Sequence, residues 1–140
     1  MRYPPVVKGG AVGNKRAMDL VAEAKEQIEN LTPAEVAAEL EKNGVVLVDL
    51  RERDELEAQG AIPGAIHAPR GMLEFYADAS TPYHRKEFDP AARTILYCAS
   101  GGRSALGCNS LKEMGFRNIA HLDGGFKSWI AAGNPVQVAQ

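Results

Sequence analysis

The stretch Thr94-Ile-Leu-Tyr-Cys98-Ala-Ser-Gly-Gly-Arg-Ser104 places an apolar run, a cysteine and two glycines in immediate succession. Its first four residues are typical of a parallel strand that is covered on both faces. From Ser104 to Met114 apolar side chains recur at helical spacing, and Gly115-Phe116 is typical of a helix end. The stretch therefore predicts a strand, a short loop and a helix. Because ligands of open α/β sheets bind outside the carboxyl ends of the strands, we expect Cys98 at the mouth of a site.

The loop that follows Cys98 is suited to hold an anion. Gly101 and Gly102 allow backbone conformations in which successive N–H groups turn toward one point. The guanidinium of Arg103 and the positive end of the helix that starts near it add to the same field. These groups would stabilise a thiolate at Cys98 and make it a nucleophile without a histidine base. In the plainer interpretation, Cys98 is a small buried residue and the glycines only close a turn.

Further strands and helices are predicted on either side of this unit. Short apolar runs predict three more strands, over residues 45–48, 65–68 and 118–122. Periodicity and capping residues predict helices over residues 15–30, 32–43, 54–59 and 126–132. The segment 70–90 is expected to mix a helical turn with loop. Strands that alternate with helices indicate an α/β fold with an open, mainly parallel sheet.

The composition limits the kind of protein this is. A length of 140 residues with 45% hydrophobic content suits one compact domain. The net charge is −2 and no block of like charges occurs, so neither nucleic acid nor an acidic membrane is an expected partner. No apolar run approaches the ~20 residues of a membrane span or forms a signal-peptide core, which favours a cytoplasmic protein. Two cysteines and three scattered histidines match no metal site and no disulfide framework.

Several landmarks along the chain resemble one known family. Cys98 through Arg103-Ser104 looks like the active loop Cys-x-x-x-x-Arg-Ser/Thr of the rhodanese homology family. The other landmarks stand in the order that this family shows: Val48-Asp-Leu-Arg51 with Glu55, Ile62-Pro-Gly-Ala-Ile-His67, Met114-Gly-Phe116, Leu122-Asp-Gly-Gly125 and Trp129. The similarity spans about Leu31 to Val136. The ordered set is more specific than any single landmark.

The resemblance implies a fold and a reaction. The fold would be a five-stranded parallel sheet flanked by helices on both faces. The enzyme would be a sulfurtransferase, in which the Cys98 thiolate takes sulfane sulfur from a small anionic donor such as thiosulfate. The resulting persulfide would pass its sulfur to a thiol or cyanide, or to a protein acceptor, and no cofactor is implied. The residues expected to bind the donor are Ala99, Ser100, Gly101, Gly102, Arg103 and Ser104.

The resemblance also divides the chain. Residues 1–30 would be an N-terminal extension with an amphipathic helix, and residues 31–140 would be the rhodanese-like domain. Asp49 and Arg51 are expected as a structural ion pair behind the active loop. Cys108 lies on the apolar side of the helix after the loop and is expected to pack in the core, although a resolving thiol is the alternative. His67 and His121 are expected to be structural.

Two other functions are compatible with such a fold. Related phosphatases and arsenate reductases have one more residue between the cysteine and the arginine, which makes room for a tetrahedral oxyanion. Only four residues separate Cys98 from Arg103, which favours sulfur transfer. A non-catalytic interaction module is the third candidate, but domains of that kind often lack the cysteine that is present here.

Overall fold

The computed structural model describes residues 13–138, in which helices and strands alternate along the chain. The strands are β1 (Glu29–Leu31), β2 (Val45–Asp49), β3 (Ile66–His67), β4 (Arg93–Tyr97) and β5 (Ile119–Leu122). The helices are α1 (Ala17–Gln27), α2 (Pro33–Leu40), α3 (Arg53–Gln59), α4 (Leu73–Ala77), α5 (Gly102–Glu113) and α6 (Gly125–Ala131). A short 3₁₀ turn, Arg70–Met72, leads into α4.

The strands form one parallel sheet in the order β1-β5-β4-β2-β3. From β2 the chain crosses to β3 on one side, and from β4 it crosses to β5 on the other. The order therefore reverses between β2 and β4, and the crevice at their carboxyl ends is where such sheets bind ligands. Asp49 ends β2 and Cys98 follows β4, so both residues lie at this crevice. The predicted five-stranded α/β fold is confirmed.

Alternating side chains of the central strands fill a core on each face of the sheet. Val48 and Leu96 point to the face that α1, α4 and α5 cover, together with Leu73 and Leu111. Leu47, Ile95 and Tyr97 point to the opposite face, where they pack with α2 and α6. Since both faces are covered, these strands are apolar at successive positions. This continuous apolar pattern is why they can be predicted from the sequence.

The start of the chain differs from the prediction. The first helix does not reach residue 30 but ends at Gln27, and Glu29–Leu31 forms β1 at the edge of the sheet beside β5. The residue pattern had therefore predicted only four of the five strands by position. A three-residue strand with two exposed polar residues carries no apolar period, so it is recognisable only by its pairing. The predicted boundary between residues 30 and 31 falls inside β1, and the division into extension and domain stays a prediction.

Other predicted elements agree with the structure. The segment 70–90 contains the 3₁₀ turn and α4 and continues in turns, as expected. Residues 1–12 of the predicted extension lie outside the described residues. Across residues 13–138, none of the helices has the length and apolar character that crossing a membrane requires.

Candidate active site

Cys98 lies at the bottom of the loop between β4 and α5, with 1% of its surface exposed. Two backbone N–H groups donate to its sulfur: Gly101 N at 3.2 Å and Ser104 N at 3.3 Å. Gly101 has φ of 105°, a left-handed conformation that favours glycine, and it turns the chain so that both groups face inward. The amino end of α5 adds its positive dipole. Both N–H groups face the sulfur, as the loop sequence leads us to expect, and the role of these residues in binding a donor stays a prediction.

The start of α6 holds the other side of the loop. Phe126 N donates to the carbonyl of Cys98 at 2.8 Å, and Lys127 N donates to that of Ala99 at 3.1 Å. The first residue of α6, Gly125, lies so close that a Cβ there would come within 2.6 Å of the Cys98 carbonyl oxygen. The loop is therefore clamped between the amino ends of α5 and α6.

Arg103 is shared between the loop and α3. Its guanidinium donates two short hydrogen bonds to the Glu55 carboxylate, at 2.7 and 2.9 Å. These bonds lower the pKa of Glu55 to about 2 and are the largest cause of the raised pKa of Arg103, to which the charge of Cys98 contributes less. We expected the guanidinium to act on Cys98. The structure shows Glu55 as its main partner, a pairing that the sequence pattern did not indicate.

The remaining predicted donor-binding residues line the loop at different depths. Gly101 and Ser104 are buried, Ala99, Gly102 and Arg103 are partly exposed, and Ser100 is exposed. A Cβ at Gly102 would lie 3.7 Å from Val21 of α1, so this helix reaches the edge of the loop.

Asp49 and Arg51 form the expected ion pair behind the loop. Both side chains are fully buried, and Arg51 Nη2 lies 2.8 Å from Asp49 Oδ2. Arg51 also donates to the carbonyl of Gly60 at 2.7 Å, and the hydroxyl of Tyr97 donates to Asp49 at 2.7 Å. These bonds tie the carboxyl ends of β2 and β4 to the segment that follows α3.

A second chain of polar groups leads from the buried Cys98 to Asn30 of β1, which is exposed. Cys98 Sγ lies 3.5 Å from Ser104 Oγ, which lies 2.8 Å from His121 Nδ1 on β5. His121 Nε2 lies 2.7 Å from Asn30 Oδ1. Burial lowers the pKa of His121 to about 4, so the imidazole is neutral near pH 7. His121 is held by hydrogen bonds, as expected, but its link to the loop was not predicted.

Cys108 is fully buried on the core side of α5. It packs among the apolar residues between α5 and the sheet, and burial raises the pKa of its thiol to about 12. A thiol in these surroundings stays protonated at neutral pH, which agrees with the expected packing role.

Comparison with known proteins assigns the chain to a family. The model of the rhodanese-like domain matches residues 32–132, from the start of α2 to the end of α6. The chain belongs to the rhodanese-like domain family. The matched residues of this rhodanese-like domain include the whole loop from Cys98 to Ser104.

Individual relatives agree with this assignment. A sulfurtransferase of Allochromatium vinosum is 33% identical over 92 residues, which are 66% of this chain and 78% of the relative. The polysulfide-sulfur transferase homodimer of Wolinella succinogenes has a TM-score of 0.71 at 30% identity over 87% of each chain. A protein of Rhodopseudomonas palustris described as a possible tyrosine phosphatase has a TM-score of 0.83 at 36% identity, over 97% of this chain and 100% of that one. The rhodanese-like domain is thus similar to sulfurtransferases and to one protein with a different suggested activity.

Proposed function

We propose that this rhodanese-like domain transfers sulfane sulfur through a persulfide on Cys98. The observation that carries the proposal is the cysteine sulfur itself, buried at the carboxyl end of β4 with the N–H groups of Gly101 and Ser104 directed at it. The same groups can hold the thiolate before the reaction and the charged persulfide after it. The sulfurtransferase relatives and the family pattern support this chemistry.

The proposed reaction has two steps. The Cys98 thiolate attacks the outer sulfur of a donor such as thiosulfate; the new S–S bond forms as the donor's S–S bond breaks, and sulfite leaves with the electron pair. A thiol or cyanide then attacks the outer sulfur of the persulfide and restores the Cys98 thiolate. No cofactor takes part in either step. Arg103, held by Glu55, faces the approach of the anionic donor, and the exposed Ser100 lies on the same rim.

Phosphate ester hydrolysis is the second candidate, because the protein of Rhodopseudomonas palustris carries that suggestion. A phosphoryl group has three equatorial oxygens that the loop must surround in the transition state. Here four residues lie between Cys98 and Arg103, and the two N–H groups described above already point at the sulfur. This leaves less room than a phosphatase loop and favours a single sulfur atom as the bound group.

The first experiment is intact-protein mass spectrometry after incubation with thiosulfate and then with cyanide. We expect a gain of one sulfur that cyanide removes, no gain in Cys98→Ala, and a normal gain in Cys108→Ala, since the Cys108 thiol is buried and protonated. The same samples are assayed with p-nitrophenyl phosphate. Hydrolysis of this ester without any sulfur gain would favour the phosphatase, and an equal loss of sulfur gain in both variants would contradict a single nucleophile.

A further inference from the structure

The chain Cys98–Ser104–His121–Asn30 is a continuous hydrogen-bonded path whose polarity the structure determines. At its far end, Asn30 donates from Nδ2 to two backbone carbonyls, Lys25 O at 2.9 Å and Ile28 O at 3.2 Å. The amide oxygen of Asn30 must therefore face His121 Nε2, and an amide oxygen only accepts. It follows that Nε2 carries the proton of the neutral imidazole.

This tautomer defines the direction of the other bonds. With Nε2 as donor, Nδ1 of neutral His121 has a free lone pair, and the Ser104 hydroxyl donates to it at 2.8 Å. Ser104 Oγ then offers only lone pairs to Cys98, whose thiol donates to it at 3.5 Å. Each proton on this path therefore points away from Cys98 and toward Asn30.

We propose that His121 accepts the proton of the Cys98 thiol through Ser104 when the nucleophile forms, with Asn30 holding the imidazole in the accepting tautomer. The thiol proton moves to Ser104 Oγ while the hydroxyl proton of Ser104 moves to His121 Nδ1. The products are a thiolate at Cys98 and an imidazolium at His121, so the number of protons and the net charge are unchanged. His121 and Asn30 act through Ser104 and are positioning residues. The proposal departs from our expectation from the sequence that the nucleophile forms without a histidine base.

All groups on the path keep their hydrogen bonds after the shift. The Ser104 hydroxyl then donates to the thiolate, Nδ1–H donates to Ser104 Oγ, and Nε2–H still donates to Asn30. Although burial disfavours an isolated imidazolium, this one forms together with an opposite charge two hydrogen bonds away. When sulfur is passed on and the donor site empties, the proton can return to Cys98 along the same path.

Other charged groups lie near His121 and near Cys98 and affect the charge that each can carry. Asp123, after β5, favours the imidazolium, and Lys25 of α1 opposes it; these two side chains form an ion pair at 3.0 Å. Arg103 of α5 faces Cys98 but is paired with Glu55. Neither pair interrupts the direct path through Ser104.

The test uses the thiolate absorbance at 240 nm, followed against pH in the Cys108→Ala background so that only Cys98 reports. In Asn30→Asp a carboxylate accepts from Nε2–H and stabilises the imidazolium, so we expect the midpoint to fall by about one pH unit. Gln27→Glu adds the same charge at an exposed site on α1 and should leave the midpoint unchanged. In Asn30→Asp combined with Ser104→Ala the path is broken, and most of the shift should vanish.

The second readout is the rate at which thiosulfate adds sulfur to Cys98. In His121→Gln we expect the rate at pH 7 to fall about tenfold and to recover near pH 9, where solvent removes the thiol proton. An unshifted midpoint in Asn30→Asp, or an equal shift with and without Ser104→Ala, would overturn the relay. This inference rests on the proposed function, but the absorbance test does not use sulfur transfer, so the failure of one is distinguishable from the failure of the other.

Discussion

Arg103 lies between the Glu55 carboxylate and the Cys98 loop. The family pattern places an arginine at the end of the loop, and the structure shows its guanidinium bound by both oxygens of Glu55. A bidentate pair of this kind fixes the plane of the guanidinium as well as its position. The carboxylate also adds a negative charge close to the place where the proposed anionic donor would enter. Glu55 therefore orients Arg103 and weakens its attraction for anions at the same time.

Replacing Glu55 with Gln separates these effects. We expect Glu55→Gln to lower the KM for thiosulfate about two- to fivefold, because the partly exposed site loses a repelling charge worth up to ~1 kcal/mol. The measurement is steady-state sulfur transfer to cyanide at constant ionic strength. Glu57→Gln, which removes the same charge from the exposed side of α3, is the control. Equal KM values in the two variants would contradict a specific effect of the Arg103 pair.

At the scale of the elements, the amino ends of α5 and α6 hold the loop from two sides. α5 supplies the N–H groups that face the Cys98 sulfur, and α6 supplies those that bind the carbonyls of Cys98 and Ala99. The close approach of α6 requires Gly125, which combines φ of 64° with backbone contact. The shape of the site is therefore a property of two helix ends rather than of the loop alone.

Adding one methyl group at Gly125 tests this arrangement. In Gly125→Ala the Cβ would lie 2.6 Å from the Cys98 carbonyl oxygen, so the loop or α6 must move. Gly133→Ala is the matched control, since Gly133 has φ of 80° but open space around it. We expect Gly133→Ala to lower the free energy of unfolding by about 1–2 kcal/mol through backbone strain alone. Gly125→Ala should cost a further ~1–3 kcal/mol and abolish most persulfide formation.

Urea unfolding and the mass assay measure the two expected effects. If both alanine variants lose the same stability and keep the same activity, the clamp by α6 does not shape the site.

The whole molecule carries two polar networks under one crevice, one fully buried and one that runs from buried groups to the exposed Asn30. One, around Asp49 and Arg51, ties β2 and β4 to the segment after α3, and the other links α5, β5 and β1 through His121. His121 is neutral in the folded protein because burial lowers its pKa to about 4, whereas an unfolded histidine titrates near ~6.5. The stability of the molecule must therefore depend on pH in the range between these values.

The sign of this dependence follows from proton binding. Between pH 6.5 and about 4 the unfolded chain binds a proton at residue 121 that the folded chain does not, so stability is complete above pH 6.5 and falls as the pH is lowered. The full loss is on the order of 3 kcal/mol. Urea unfolding from pH 7 to pH 5 avoids the range of Glu55, whose pKa is about 2.

We expect the slope in this range to be much smaller in His121→Gln and unchanged in His84→Gln, which removes an exposed histidine. Parallel stability curves for the protein and His121→Gln would show that His121 is not the titrating group.

The sequence by itself determined the features that depend on neighbouring residues or on strong patterns. The strands covered on both faces appear as apolar runs, and Cys98, the glycines and Ser104 follow one of them directly, so the position of the loop at the carboxyl end of β4 was predictable. Asp49 and Arg51 are two residues apart at the end of β2, and their pairing was expected from the family pattern. The packing of Cys108 followed from its place on the apolar side of α5.

Only the tertiary structure decided which distant residues meet at that loop. Glu55 and Arg103 are 48 residues apart, and Asn30 and His121 are 91 apart, so no local pattern links them. β1 is too short and too polar to be recognised before it pairs with β5, and α6 reaches the loop only because the sheet order brings β5 next to β4. Local sequence specifies an element through its own periodicity, whereas contacts between elements depend on how the whole sheet packs. Glu55, His121, Asn30 and the start of α6 reach the loop through contacts of the second kind.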